Sequence, residues 1–293
     1  MFSRTLRAST TATSRLSQIS SHINNSAIQR RMASTTALKL NTGATIPALG
    51  FGTWQDKDDQ EKGVAEALKA GYGHIDTAAI YGTEPMMHWP SAFKAGDNKF
   101  PKDANGKTET ADISYIETWK AMEKLIKTGK TKAIGVSNFS KKEMEHLVKE
   151  ASIPPAAHQI ECHPWLQQKD FSDWHKSNGI HVQHYSPFGN QNEIYDLGKN
   201  MGKLMDDPVL VKIGKKHNKS GAQVVLAWGI TRGHSVLPKS KTPARIQSNL
   251  DGDFKLNAED MKKIESIDKK LRFNDPSGSF GYQFYTDLDG KRN

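Results

Sequence analysis

Lys239, Ser240, Thr242 and Arg245 stand close together where an expected strand ends and the next expected helix begins. Unpaired backbone N–H groups and the helix dipole already favour an anion at such a place. Two cations and two hydroxyls suit a phosphate, although a Lys-Ser-Lys stretch is also what a solvated turn looks like. Gly50-Phe51-Gly52 starts like a glycine-rich dinucleotide loop, but Thr53-Trp54-Gln55 follows, so the third glycine is missing, and there is no Walker A sequence. Any nucleotide is therefore held by another device. His158, His163, His175, His181 and His184 fall at strand and helix ends rather than on one ligand face, and no carboxylate–histidine motif joins them, so no metal is assigned.

The elements that must position these residues follow from periodicity and turn signals. Leu38–Leu40 and Thr45–Ile46 flank Asn41-Thr42-Gly43 as a short hairpin, and Leu49–Trp54 is a candidate strand end. Asp59–Ala70 carries Val64, Leu68 and alanines at helical spacing up to Gly71, and His74–Ala78 follows as a strand. Beyond it, Ile113–Thr128, Lys141–Glu150, Phe171–Ser177, Val209–His217, Ala222–Ile230 and Thr242–Leu250 read as helices. Lys132–Val136, Ala157–Cys162, Ile180–Tyr185 and Ser235–Pro238 read as strands. Such an alternation predicts an α/β fold with a parallel sheet inside its helices, and a (β/α)8 barrel of the TIM type is the common closed form.

The segments GFGTW (50–54), HIDTAAIYG (74–82), HWP (88–90), IGVSNF (134–139), HQIECHP (158–164), YSPFG (185–189) and LPKSKTPARIQSNL (237–250) occur in one order. In that order they resemble the aldo-keto reductases, from about Leu38 to the C-terminal region, and most nearly the fungal members, of the glycerol dehydrogenase or aldehyde reductase type. The resemblance implies a domain over residues 38–293 that reduces small aldehydes or ketones to alcohols, reversibly, with NADP(H). It makes Tyr81 the general acid, Asp76 the residue orienting its cation, and His88 the histidine that positions the carbonyl. It puts the nicotinamide carboxamide on Ser137, Asn138 and Gln159 and the ring on Tyr185, with Ser186 beside it. Lys239, Ser240, Thr242 and Arg245 then take the 2′-phosphate and Asn249 the adenine, while Ser248 replaces a glutamate common in relatives. Trp54 and Trp89, with Phe280, Tyr282 and Phe284 from the tail, suggest an apolar pocket for a small carbonyl or polyol substrate. A monomer is the family expectation.

One departure matters. Only Gly82–Met87 separate Tyr81 from His88. In the resembled family a helix, a strand bearing the catalytic lysine, a second helix and most of a further strand lie between them. At about 30 residues per unit, roughly two βα units are absent, so the barrel is expected to be incomplete. Without that lysine no matching group lowers the phenol's pKa. Lys94 and Lys99 are near in sequence but match no motif, and proton donation should be crippled. Three readings compete: a reductase whose sequence has lost an internal segment, a non-catalytic NADP-binding relative with a sensing or partner-binding role, and an unstable fragment.

Composition narrows the rest. The chain has 293 residues, 36% of them hydrophobic, enough for one large α/β domain. Its longest strongly apolar runs, such as Val224–Trp228, fall far short of the about 20 residues a bilayer-spanning helix needs. A single cysteine, Cys162, excludes an internal disulfide framework. The net charge of +9 is concentrated at the start: residues 1–55 hold Arg4, Arg7, Arg15, Arg30, Arg31 and Lys39 and no Asp or Glu. The body is close to neutral, so no electrostatic case for nucleic acid remains. The acid-free, Ser-, Thr- and Arg-rich residues 1–33 have the composition of a mitochondrial transit peptide, with a bare disordered tail as the other reading. Met32 could open a cytoplasmic form.

Overall fold

The computed structural model describes residues 36–54, 60–77, 86–96, 98, 101–189, 191 and 201–290. The chain first turns back on itself, β1 (Ala37–Lys39) antiparallel to β2 (Thr45–Pro47) with Leu38 opposite Ile46. The reversal falls on Gly43, whose φ of +82° suits a residue without a Cβ.

Parallel units follow. β3 (Phe51–Gly52), α1 (Gln60–Ala70) and β4 (Ile75–Asp76) form the first, and β5 (Met86–Met87) comes next. A small antiparallel ribbon, β6 (Ala92–Phe93) with β7 (Thr110–Ala111), leads to α2 (Tyr115–Lys127) and β8 (Gly135–Ser137). Then come α3 (Lys141–Glu150), β9 (Ala157–Glu161), α4 (Lys169–Ser177) and β10 (His181–Tyr185). The last units are α5 (Pro208–His217), α6 (Gly221–Thr231), β11 (Ser235–Val236) and α7 (Pro243–Leu250), followed by α8 (Ala258–Glu265) and the single turn α9 (Ser277–Phe280). Helices α2, α3 and α6 begin on capping boxes, pairing Ser114 with Glu117, Ser140 with Glu143 and Ser220 with Gln223. Each box satisfies two backbone donors that a helix start leaves bare.

β11, β10, β9, β8 and β5 lie side by side in one parallel sheet, in that order. The β3–β4 pair joins its β11 edge. Leu49 bridges Val236 in parallel, Gly50 N donates to Val236 O at 2.9 Å, Val236 N to Ala48 O at 2.8 Å, and Gly52 N to Pro238 O at 3.0 Å. The ladder therefore runs β4-β3-β11-β10-β9-β8-β5, and it is curled. Gln159 Nε2 on β9 donates to Asp76 Oδ1 on β4 at 2.9 Å although β3, β11 and β10 intervene in the ladder. Among the described residues the ladder has seven strands, and no strand pairing joins β4 to β5. Met86 and Met87, in the short stretch between Tyr81 and His88, pair with Gly135 and Val136 as the end strand of the sheet.

Along β9 and β10 successive side chains divide between lumen and helices. His158 and Ile160 turn outward, His158 against Phe171 and His175 of α4, while Gln159 turns in to meet Asp76. His184 turns outward against Trp228 of α6. Both faces of these strands are buried, as a parallel sheet inside helices requires. Most of the apolar core lies between strands and helices, around Trp119, Val136, Ile160, Val182, Leu210 and Trp228, with a second cluster around Leu49, Phe51, Tyr72 and Ile246.

The hairpin covers the end of the barrel where strands begin. Pro47 O accepts from Ser235 Oγ at 3.2 Å and lies 3.3 Å from His74 Nδ1, and Asn41 Nδ2 donates to Pro155 O ahead of β9. The opposite end, where strands finish, carries the candidate site.

Candidate cofactor and active site

Ser137, Asn138, Gln159 and Tyr185 meet at the finishing ends of β8, β9 and β10. Ser137 Oγ donates to Gln159 O at 2.8 Å, and Asn138 Nδ2 donates to Ser137 Oγ and to His88 O, each at 3.0 Å. Asn138 Oδ1 accepts from the Tyr185 hydroxyl at 2.7 Å. Asn138 holds φ +63°, a left-handed conformation that Asn tolerates better than most residues with a side chain, and this turns its amide off the strand into the site. Asp76 belongs to the same group through Gln159, and its backbone carbonyl accepts from Thr53 Oγ1 at 2.9 Å. Tyr81 lies outside the described residues, as does Lys99. Lys94 pairs with Glu109 at 2.9 Å on the exposed β6–β7 ribbon.

Trp89 packs against Phe280 and Phe284 with ring centroids 5.3 and 4.9 Å apart, and Phe93 stacks edge-on against Phe280. These contacts join the HWP segment and the tail in one aromatic wall. Trp54 stands apart from it among the described contacts and is 47% exposed. Ser186, just past β10, takes φ +45° and its carbonyl accepts from Gly189 N at 2.8 Å.

The phosphate candidates fall on the turn between β11 and α7. Thr242 caps α7 without a side-chain bond of its own, and its N–H goes to Ser240 Oγ at 3.1 Å. Lys239 and Ser240 are half-buried, Thr242 and Arg245 exposed, and Asn249 buried. Gly52, Thr53, Ser240, Lys241 and Ile246 line an open groove of about 470 Å³ between α1 and α7.

The histidines pair inside the core. His158 Nδ1 lies 2.7 Å from His175 Nε2, and His184 Nε2 lies 2.8 Å from His234 Nδ1. Burial, reinforced by nearby positive groups, pushes His158, His184 and His234 well below the ordinary histidine value, and burial brings His175 and His181 down to about 4. Burial also raises the Cys162 thiol to about 11, which leaves it unreactive.

Sequence reading missed what covers this end of the barrel. Glu161, fully buried, accepts from Phe273 N at 2.7 Å and Asn274 N at 2.8 Å and lies 3.1 Å from His163 Nε2. Burial alone would raise its carboxyl, but the His163 hydrogen bond, the His163 and Arg272 charges and the Phe273 N–H outweigh that and hold it below the ordinary glutamate value. Arg272, itself buried, stacks 3.9 Å from the centre of the Tyr285 ring. Asn274 Nδ2 donates to the Tyr185 hydroxyl at 2.8 Å, and the Tyr285 hydroxyl donates to Asn138 Oδ1 at 2.9 Å. Glu161 lies inside the HQIECHP segment, but nothing local in the sequence shows that its backbone donors come from over a hundred positions away.

The aldo/keto reductase family model matches residues 86–269. An uncharacterized oxidoreductase of Schizosaccharomyces pombe is 39% identical over an alignment of 289 positions that takes in 80% of this chain and 89% of the relative. Aldo-keto reductase family 1 member A1 is 33% identical in Sus scrofa and 32% in Homo sapiens, each over 89% of this chain and 95% of the relative. The chain belongs to the aldo/keto reductase family. The family's fold is a (β/α)8 barrel, and the described strand ladder carries the candidate site at the finishing ends of its strands.

Proposed function

We propose that this chain binds NADP(H) and reduces small aldehydes or ketones to alcohols in a reversible reaction. The observation that carries the reading is the convergence of Ser137, Asn138, Gln159 and Tyr185 at the finishing ends of β8–β10. A hydroxyl and two carboxamides offer donors and acceptors of the kind that a nicotinamide carboxamide pairs with, and the Tyr185 ring can cover one face of the heterocycle. Lys239, Ser240, Thr242 and Arg245 supply cations and hydroxyls for a 2′-phosphate, which favours NADP over NAD, and Asn249 lies on the same helix for the adenine. The bound nicotinamide supplies the hydride. Tyr81 is the residue to give a proton to the carbonyl oxygen, with His88 positioning that oxygen and Asp76 orienting the proton donor's surroundings. Trp89 with Phe280 and Phe284 makes an apolar wall for a small substrate.

Turnover should be slow. No lysine stands at the family's catalytic position in this sequence, and Lys94 is paired with Glu109 at the surface. The alignment with the S. pombe protein is longer than the stretch of this chain it takes in, so dozens of its positions face no residue here. That supports the reading of a lost internal segment. A non-catalytic NADP-binding role is the second reading, favoured by the same paired Lys94. Titration with NADPH by its fluorescence, followed by turnover of glyceraldehyde, separates them: binding with turnover supports the reductase, binding without it the second reading, and no binding sinks both. Sequencing the transcript across Gly82–Met87 tests the lost segment, since an uninterrupted short message would refute it. Residues 1–33 are proposed as a mitochondrial targeting segment, with a cytoplasmic form from Met32. A reporter fused to residues 1–35 that stays in the cytoplasm would count against it.

A further inference from the structure

Asn138 has no hydrogen-bonding capacity to spare. A carboxamide side chain offers two N–H donors and two acceptor lone pairs. Here Nδ2 gives its two protons to Ser137 Oγ and His88 O, and Oδ1 receives the hydroxyls of Tyr185 and Tyr285. Its neighbours are engaged as well: Ser137 Oγ donates to Gln159 O, and Gln159 Nε2 to Asp76. A second amide can pair with Asn138 only by displacing one of these partners.

The four partners are not equally fixed. Ser137 lies in β8 and Tyr185 in β10, and His88 O follows directly on β5. Tyr285 comes from the segment after α9, and its own backbone is held at φ +56°, a left-handed conformation that is strained for an aromatic residue. That segment is strapped down at several points. Asn274 donates to the Tyr185 hydroxyl, Tyr282 bonds Glu143, and Asp287 accepts from Lys141 N and Lys142 N at the start of α3. Within it, Phe284 and Tyr285 are both buried.

We propose that Tyr285 holds the place on Asn138 that an amide-bearing ligand must take, so that the segment from Asn274 to Asp287 is a displaceable strap which sets affinity for the nicotinamide end of the cofactor. The inference rests on the nicotinamide site proposed above. Its chemistry is a plain exchange of one hydrogen-bond donor for another at Oδ1, the Tyr285 hydroxyl leaving as the ligand's amide N–H arrives.

The test uses the full chain and two probes, NADPH followed by fluorescence and 2′-phospho-ADP-ribose followed by calorimetry, the second having the phosphate end without the nicotinamide. Tyr285→Phe frees one lone pair of Asn138 and keeps the ring under Arg272. It should bind NADPH several-fold more tightly than the unaltered chain and bind 2′-phospho-ADP-ribose equally well. Unchanged or weaker NADPH binding by the variant, with the nicotinamide-free probe unaffected, overturns the strap alone. Failure of the unaltered chain to bind either probe overturns the cofactor reading and the strap with it. Should Tyr285→Phe not fold, hydrogen exchange on the unaltered chain decides: NADPH should speed exchange of the amides from Ser277 to Leu288, and slower exchange there overturns the proposal.

Discussion

Gln159 and Asp76 are joined side chain to side chain at 2.9 Å across the inside of the barrel, from strands that are never neighbours in the sheet. This cross-lumen bond ties together the two sides of the curled ladder. Gln159→Leu removes it and places an apolar side chain against a carboxylate. A hydrogen bond to a charged group contributes about 1.5–3 kcal/mol, so urea unfolding should lose stability of that order. A midpoint unmoved by the substitution would mean that the bond does not help to hold the barrel together.

Glu161→Gln retains the shape of the side chain but removes the charge that two backbone N–H groups and His163 share. The expected loss is about 2–4 kcal/mol, since breaking a buried charged network leaves its partners unsatisfied. The damage should be greatest at Phe273 and Asn274, whose amides are predicted to exchange with solvent faster than those of β9 itself.

Lys239→Ala and Arg245→Ala should each weaken NADPH by about ten- to a hundredfold, the worth of one charge-assisted contact, and leave NADH nearly unchanged. Equal losses for the two cofactors, measured by fluorescence titration, would remove these residues from the 2′-phosphate.

The buried histidines predict the acid limb of stability. His175 and His181, brought to about 4 in the fold, titrate near 6.5 in the unfolded chain, so between these values the unfolded state binds more protons. Stability should be full above about pH 6.5 and fall as the pH drops toward 4, by on the order of 3 kcal/mol for each of the two at the low end. Melting temperatures from pH 7.5 to 4.5 check this, and a flat profile would show that these rings are not held neutral.

The alternation of elements was legible because each is announced locally. α3 (Lys141–Glu150) begins and ends where sequence reading put it, since Ser140 and Glu143 form its cap. Ile180–Tyr185 lies one residue longer than the strand His181–Tyr185. What stayed hidden depends on distant partners. Met86 and Met87 have neither length nor alternation to mark a strand and become one because Gly135 and Val136 offer a free edge. Ala92–Phe93 and Thr110–Ala111, too short to read, find each other across a loop. At the site, Ser137, Asn138 and Tyr185 were found through motifs, whereas Tyr285 and Asn274 belong to a tail whose contacts no short pattern encodes.

The β1–β2 hairpin and the strap lie at opposite mouths of the barrel, the first on Pro155 and Ser235, the second on Asn138 and Tyr185. An affinity handle or reporter attached at Thr36 would therefore leave the molecule on the side away from the proposed nicotinamide site. The same handle placed after Gly290 would tug on Asp287 and Tyr285, so fusions at the two ends of the chain should give different ligand affinities for one and the same protein.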